Sequence, residues 1–297
     1  MGIQVCTGQP APTAERASHL ELNGLRLLCR EWGPAEGYPI VLLHGLRGYS
    51  ATWRRLAVHL SGSYRLIAID QRGRGQSDWD SGRNYYTDAY LADLEALVDT
   101  LKLRRFVLVG HSMGGATAYV YAARHADRLA ALVIEDIAPG SSTEGEGAER
   151  IRNEMSSLPS GFTTRAEARA YWRARRPSLG DAEIEERIAE TMRQDPGGRW
   201  IWRYDAAGIS AARLNPDPAR VIDLWPVVAR ITAPTLLIRG GNSDFCPTQT
   251  VARMCAINPH FTSVTVPGAS HYVHDDRPAA YNQLVARFIA EHLPEVP

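Results

Sequence analysis

Arg105-Phe-Val-Leu-Val-Gly-His-Ser-Met-Gly-Gly-Ala-Thr-Ala118 is the stretch whose reading decides the fold. Its apolar run, 106–109, predicts a buried strand. The run leads directly into Gly110-His111-Ser112-Met113-Gly114, a G-x-S-x-G pattern. Residues 116–124 are alanine-rich with helix-compatible spacing. Strand, sharp turn and helix are the context in which this pattern forms a nucleophile elbow. A serine on so sharp a turn sits in strained backbone, so its neighbours two away on either side must lack bulk. Gly110 and Gly114 meet that need, and Gly115 lets the helix approach the sheet. The Ser112 hydroxyl then projects above the carboxyl edge of the sheet. The Met113 N–H, at the helix start, faces any oxyanion formed there. The alternative is a glycine-rich turn carrying an incidental serine.

Outward from this stretch the chain alternates strands and helices. Asn23-Gly24 separates two strand-like runs and predicts a hairpin. Strands are expected at 39–44, 65–70, 129–136, 234–240 and 262–266, and helices at 52–60, 90–101, 248–256 and 279–292. Such alternation implies a mainly parallel sheet with helices on both faces. The rhythm breaks over 141–223, where no buried strand is expected. Amphipathic helices are predicted there at 149–158, 165–176 and 181–193, beside the aromatic patch Arg199-Trp-Ile-Trp-Arg-Tyr204. A block this long is too long for a loop and reads as a helical cap. The expected organisation is a loose tail over 1–17, a core formed by 18–140 and 224–297, and a cap over 141–223.

A chain of 297 residues buries roughly three quarters of its unfolded surface and needs no covalent staple. Cys6, Cys29, Cys246 and Cys255 have neither metal-ligand spacing nor disulfide-framework density, so no metal is expected and a reducing compartment fits. Acidic and basic residues balance at 33 each, which argues against nucleic acid or an anionic membrane as partner. No apolar run approaches the ~20 residues of a membrane span. No secretory signal is visible, and Cys6 stands where an N-myristoylation pattern after Met1-Gly2 requires Ser or Thr. A soluble cytoplasmic protein is the expectation. No feature specifies an oligomeric state.

A serine hydroxyl needs a base, and the base needs an orienting acid. Of nine histidines, His271 follows the last strand in a small-residue loop, where the carboxyl-edge loops of an open sheet gather. His44 and His111 sit in glycine motifs where a ring braces a loop. Asp136 and Asp244 both end strands at that edge, and spacing does not choose between them. Asp136 could instead cap a turn, and Asp244 could close an Asx turn before Pro247. His44-Gly-Leu-Arg-Gly48 supplies a second oxyanion donor, the Leu46 N–H. The Asp70–Ser77 loop lacks the Lys-Ser/Thr of a phosphate loop and reads as a structural loop held by arginine–carboxylate contacts. His111, Trp172, Trp200 and Trp202, with Tyr204 and Trp225, are candidates for an apolar substrate pocket; the aromatics are equally candidates for the cap's own core. Arg173, Arg175 and Arg176 read as a solvated helix face or as a holder for an anionic tail such as a coenzyme A phosphate.

Four motifs in order, His44-Gly45, Asp70-x-Arg72-Gly73-x-Gly75-x-Ser77, Gly110-His-Ser-Met-Gly-Gly115 and Gly268-Ala-Ser-His271, resemble the α/β-hydrolase superfamily over about residues 18–293. Asp136-Ile-Ala-Pro139, Gly240-Gly-Asn-Ser243 and His271-Tyr-Val-His-Asp-Asp-Arg-Pro278, with the Trp200/Trp202 patch, are similar to small bacterial and mitochondrial esterases or thioesterases. The resemblance implies a cofactor-independent serine hydrolase of carboxylic esters, with thioesters and lactones as variants. In that group the triad acid often lies on the strand before the cap, which favours Asp136; the presence of Asp244 departs from it. The rivals are a carbon–carbon bond hydrolase of β-diketone-like compounds and a ligand receptor that has kept the hydrolase pocket. The elbow serine argues against haloalkane dehalogenase or epoxide hydrolase chemistry, whose nucleophile is a carboxylate.

Overall fold

Asn23 and Gly24 take φ of 52° and 77°, the left-handed pair that a two-residue hairpin turn requires. They join β1 (Arg16–Leu22) to β2 (Leu25–Trp32). The computed structural model describes residues 14–141 and 143–293. The expected tail over 1–17 therefore falls largely outside the described residues, and Arg16 and Ala17 already pair in β1. Glu15 is held too, by the guanidinium groups of Arg30 and Arg54.

Next come β3 (Tyr38–Leu43), α1 (Arg54–Leu60), β4 (Tyr64–Ile69), α2 (Thr87–Thr100), β5 (Phe106–His111), α3 (Met113–Arg124) and β6 (Leu129–Glu135). The intervening segment holds α4 (Gly145–Ser156), β7 (Gly161–Phe162), α5 (Arg165–Arg175), α6 (Asp181–Thr191), β8 (Met192–Gln194), β9 (Trp200–Trp202) and α7 (Ala206–Leu214). After α8 (Leu224–Val228) the chain returns through β10 (Thr235–Gly240), α9 (Thr248–Ile257), β11 (Phe261–Val266), α10 (Val273–Asp276) and α11 (Pro278–His292).

Eight strands form one sheet in the order β1-β2-β4-β3-β5-β6-β10-β11. Only the β1/β2 and β2/β4 pairs are antiparallel; the others run parallel. β5 is at the centre, and every one of its residues is buried because helices cover both faces. Its side chains still alternate. Phe106 and Leu108 join the core under α2 and α3, while Val107 and Val109 join the core under α1 and α11. Parallel strands end at a common edge, so Ser112 after β5, Asp136 after β6 and the turn after β10 arrive side by side.

Among the described residues between β6 and β10, no segment enters the large sheet and no fully buried strand occurs, but short strands that the pattern did not show are present. β7, β9 and β8 form a small antiparallel sheet, with β9 running through the Trp200–Trp202 patch. Strands of two or three residues carry no readable period, which is why the pattern missed them. α5 buries Ala168 and Trp172 one turn apart, and α6 buries Ile184 and Ile188 likewise. These faces pack together while Arg30–Glu190 and Arg187–Asp275, at 2.8 and 2.7 Å, tie the segment to the core. Among the described residues, no helix is long and apolar enough to cross a membrane, and Cys29, Cys246 and Cys255 are free thiols.

Leu108 is fully buried at the middle of β5. Leu108→Ala is expected to cost about 2–5 kcal/mol, because neighbours packed from both faces collapse only partly into the void. Urea unfolding midpoints of the two proteins check this.

Candidate active site

Ser112 sits between β5 and α3 at φ 52°, ψ −116°, a strained conformation for a residue with a Cβ. The strain is held by its surroundings. A Cβ on Gly110 would lie 2.6 Å from the Gly114 carbonyl oxygen, and one on Gly115 would lie 2.6 Å from Ile137 Cγ2. The Ser112 N–H donates to the Glu135 carbonyl at 3.0 Å, fixing the turn against β6.

His271 faces this serine. Its Nε2 lies 2.9 Å from Ser112 Oγ and its Nδ1 lies 2.8 Å from Asp136 Oδ2. Asp136 Oδ1 accepts the Gly240 N–H at 2.8 Å, and Oδ2 also accepts the Ser243 hydroxyl. With its carboxylate so occupied, His271 Nδ1 is the donating nitrogen and Nε2 is left to accept from Ser112. Phe245 stacks on the imidazole with ring centroids 4.2 Å apart, and His111 Nε2 donates to the His271 carbonyl at 3.0 Å. Burial, then the neighbouring His271 and His274, hold the His111 ring well below its ordinary pKa, so it acts as a neutral brace.

His44 braces a different joint. Its Nδ1 donates to the Gly45 carbonyl at 2.8 Å and its Nε2 accepts the Gln71 N–H at 3.0 Å. Burial, then the Arg74 charge, lower its pKa to about 4 against the pull of Asp70. The 70–77 loop is held by carboxylates: Arg72 donates to Asp93 from both Nε and Nη2 at 2.7 Å, and Asp70 accepts the Ser50 and Gln76 N–H groups. Arg74 reaches from this loop to the Leu46 carbonyl at 2.6 Å. Leu46 and Met113 line the same cavity as Ser112 and His271. Among the described residues, neither of their backbone N–H groups has an acceptor.

The two candidate acids part company here. Asp244 does not meet His271; Arg150 of α4 takes its carboxylate in a fork at 2.6 and 3.0 Å. Burial raises the Asp244 pKa, but the Arg150 hydrogen bonds and charge outweigh it and the net shift is downward. The expected aromatic pocket also needs correction. Trp172, Trp200, Trp202, Tyr204 and Trp225 do not line the cavity around Ser112. Trp172 and Trp202 pack edge to face, 5.9 Å apart, with Tyr171 and Phe162 completing the cluster. The helices and small sheet of this segment need an apolar centre of their own, and Trp172 and Trp202 are in it. His111 does line the cavity.

The arginine run divides as well. Arg173 pairs with Asp181, Arg175 lies over the Tyr171 ring, and Arg176 is buried over Tyr272 at the cavity wall. No shared phosphate site results. Ser243, Phe245 and a buried His274–Glu135 pair, both carboxylate oxygens 2.8 Å from Nδ1, were not legible in the sequence. Burial lowers the His274 pKa, but Glu135 and Asp275 more than reverse it. His111, Glu135 and His274 bring ligand atoms within 4.8 Å of one another. There Glu135 and both nitrogens of His274 are taken up in hydrogen bonds, and His111 uses its Nε2 on the His271 carbonyl.

Residues 38–278 match the α/β-hydrolase fold family, and the chain belongs to it. It is 33% identical over 272 residues to a candidate 2-succinyl-6-hydroxy-2,4-cyclohexadiene-1-carboxylate synthase of Bacillus subtilis, covering 90% of this chain and 96% of the other. It is 31% identical to the sn-1-specific diacylglycerol lipase of Mus musculus, covering 84% and 80%. The crystal structure of E-2-(acetamidomethylene)succinate hydrolase superposes with a TM-score of 0.81 at 27% identity, covering 93% of this chain and all of that one.

The hydrogen bonds separate the aspartates experimentally. Asp136→Asn is expected to lower kcat by around 10⁴-fold, through loss of the imidazole tautomer and of charge beside the imidazolium. Asp244→Asn should keep kcat within a few-fold and cost up to about 1 kcal/mol, because its ion pair is half exposed. That small contribution is present above the unfolded carboxylate pKa and fades as pH falls through the depressed folded value. Steady-state kinetics and melting curves of both variants across pH provide the comparison.

Proposed function

We propose that this α/β-hydrolase cleaves carboxylic esters through an acyl-enzyme on Ser112. The observation that carries the reading is the continuous hydrogen-bonded chain Ser112–His271–Asp136 opening on a cavity of about 170 Å³. Ser112 Oγ adds to the acyl carbonyl while His271 Nε2 takes its proton. The carbonyl oxygen becomes an oxyanion, and the unpartnered Leu46 and Met113 N–H groups are the donors placed to stabilise it. Collapse breaks the ester C–O bond, and His271 returns its proton to the departing alcohol. A water molecule then adds to the acyl carbon while His271 takes its proton; the C–Oγ bond breaks, His271 returns the proton to Ser112 Oγ, and the acid leaves.

Asp136 has two tasks in this cycle: it holds the Nδ1–H tautomer and stabilises the imidazolium after each proton transfer. Burial strengthens both, since the pair lies at 0% and 3% exposure, away from water. The role of the 18–140 and 224–297 segments is to bring these groups to one sheet edge. We assign the 141–223 segment the role of a cap, because its Thr143, Ile151, Arg176 and Arg187 close the cavity opposite the elbow loops. The lipase among the relatives supports ester cleavage. The names of the synthase and the succinate hydrolase show that likeness to the family does not by itself choose the bond.

A fluorophosphonate is expected to add one equivalent to the wild type, on the peptide containing Ser112. Ser112→Ala should remain unlabelled and lose at least about 10⁴-fold in kcat on a short-chain aryl ester. Full turnover without Ser112, or labelling of another residue, contradicts the reading. A folded wild type that neither labels nor turns over would instead favour the receptor alternative.

A further inference from the structure

Five arginines line the cavity around Ser112, namely Arg47, Arg176, Arg187, Arg213 and Arg220, and among the described residues no aspartate or glutamate does. The chain as a whole is neutral. The cavity is therefore a local concentration of positive charge inside a balanced protein. Three of these guanidiniums are neutralised from behind: Arg47 by Glu154, Arg187 by Asp275 at 2.7 Å, and Arg220 by Asp88 at 2.6 Å. Arg213, partly covered, also has no carboxylate or hydrogen-bond partner among the described residues, and burial lowers its pKa.

Arg176 is more deeply buried than Arg213. It is 8% exposed, yet among the described residues its guanidinium has neither a carboxylate nor any other hydrogen-bond acceptor. Its one close companion is the Tyr272 ring, over which it lies. Stacking occupies the guanidinium face and leaves its five in-plane N–H donors unused. Those nitrogens are not sealed in protein, unlike Arg187 Nε, which is buried without a partner. Arg176 lines the cavity that Ser112 and His271 share. A buried, unpaired charge is costly to the free protein. Burial, together with the charges of Arg187 and Arg47, pushes the Arg176 pKa down, and Tyr272 and Asp275 only partly oppose it.

We propose that Arg176 anchors a carboxylate on the substrate, so that the compound cleaved at Ser112 is an anionic ester rather than a neutral one. The proposal rests on the hydrolase reading above and names its substrate class. The planar fork of a guanidinium matches a carboxylate in two parallel hydrogen bonds. Of the two cavity arginines without a carboxylate partner, Arg176 is the more deeply buried, and it is the one that lies over Tyr272.

The test compares 4-nitrophenyl hydrogen glutarate with 4-nitrophenyl pentanoate, alike in reacting bond and similar in acyl length but differing in charge. The wild type should favour the anionic ester in kcat/KM by at least about 10-fold. Arg176→Met, unbranched and uncharged, should reduce the anionic-to-neutral ratio on the order of 30-fold, the loss typical of a charge-assisted hydrogen bond. Arg176→Lys, which keeps the charge without the fork, should restore part of it. Free glutarate should raise the melting temperature of the wild type and not that of Arg176→Met. Equal or better use of the neutral ester by the wild type overturns the proposal, as does an unchanged ratio in Arg176→Met. If Arg176→Met fails to fold, the wild-type ratio and Arg176→Lys decide. If neither ester is hydrolysed but glutarate still stabilises only proteins with Arg176, the ester reading fails and the anchor stands.

Discussion

The carboxylate of Asp136 is the constraint on which the site depends. It is fully buried, and a buried carboxylate survives only when its lone pairs are filled. The Gly240 N–H, the Ser243 hydroxyl and the His271 ring fill them, so a single group joins the ends of β6 and β10 to the loop after β11. Asp136 itself is held at φ 53°, a strained position that persists because these partners over-determine it. Every approach in this knot is close. A Cβ on Gly240 would collide with the Ser270 carbonyl, so the histidine loop rests directly on the β10 turn. The His271 ring is thus aimed at Ser112 by packing and hydrogen bonds formed before any substrate arrives, which is the preorganisation the proposed catalysis requires.

How much of this was legible in the sequence follows from how local each constraint is. The elbow was readable because Gly110, Gly114 and Gly115 answer a steric demand set within a few residues of Ser112. The hairpin was readable because Asn23-Gly24 is itself the turn. The sheet followed from strand–helix alternation. Spacing could not choose the partner of His271, because Asp136 and Asp244 end neighbouring strands and differ in a partner far away; only the family resemblance favoured Asp136. Arg150, on α4, claims Asp244, and nothing near residue 244 announces it. The tryptophans failed for a related reason. Trp172 and Trp202 are 30 positions apart and meet only once α5 packs on the small sheet. A ring that forms a cap core and one that lines a pocket look identical in sequence.

Charge shows the same contrast between global and local. A balanced composition argued against polyanionic partners, and it says nothing about how charge is sorted inside. Ion pairs fix the segment over 141–223 to the rest of the chain, among them Arg30–Glu190, Arg54–Glu186, Arg55–Glu183, Arg47–Glu154, Arg150–Asp244, Arg187–Asp275 and Arg220–Asp88. Exposed pairs of this kind contribute little to stability and buried ones offset their own desolvation. Their effect is to set where the segment sits. They also consume the local carboxylates, which is how a neutral chain comes to present a cavity wall with arginines and no acids.

The central claim is that bond cleavage passes through an ester of Ser112. Rapid-quench mass spectrometry of the wild-type enzyme mixed with an aryl ester tests it most directly. The account predicts that, in the first turnover, the peptide containing Ser112 gains the mass of the acyl group and then loses it at the steady-state rate. Release of the acid with no acyl mass on any peptide, or an acyl mass that accumulates on a residue other than Ser112, would contradict it.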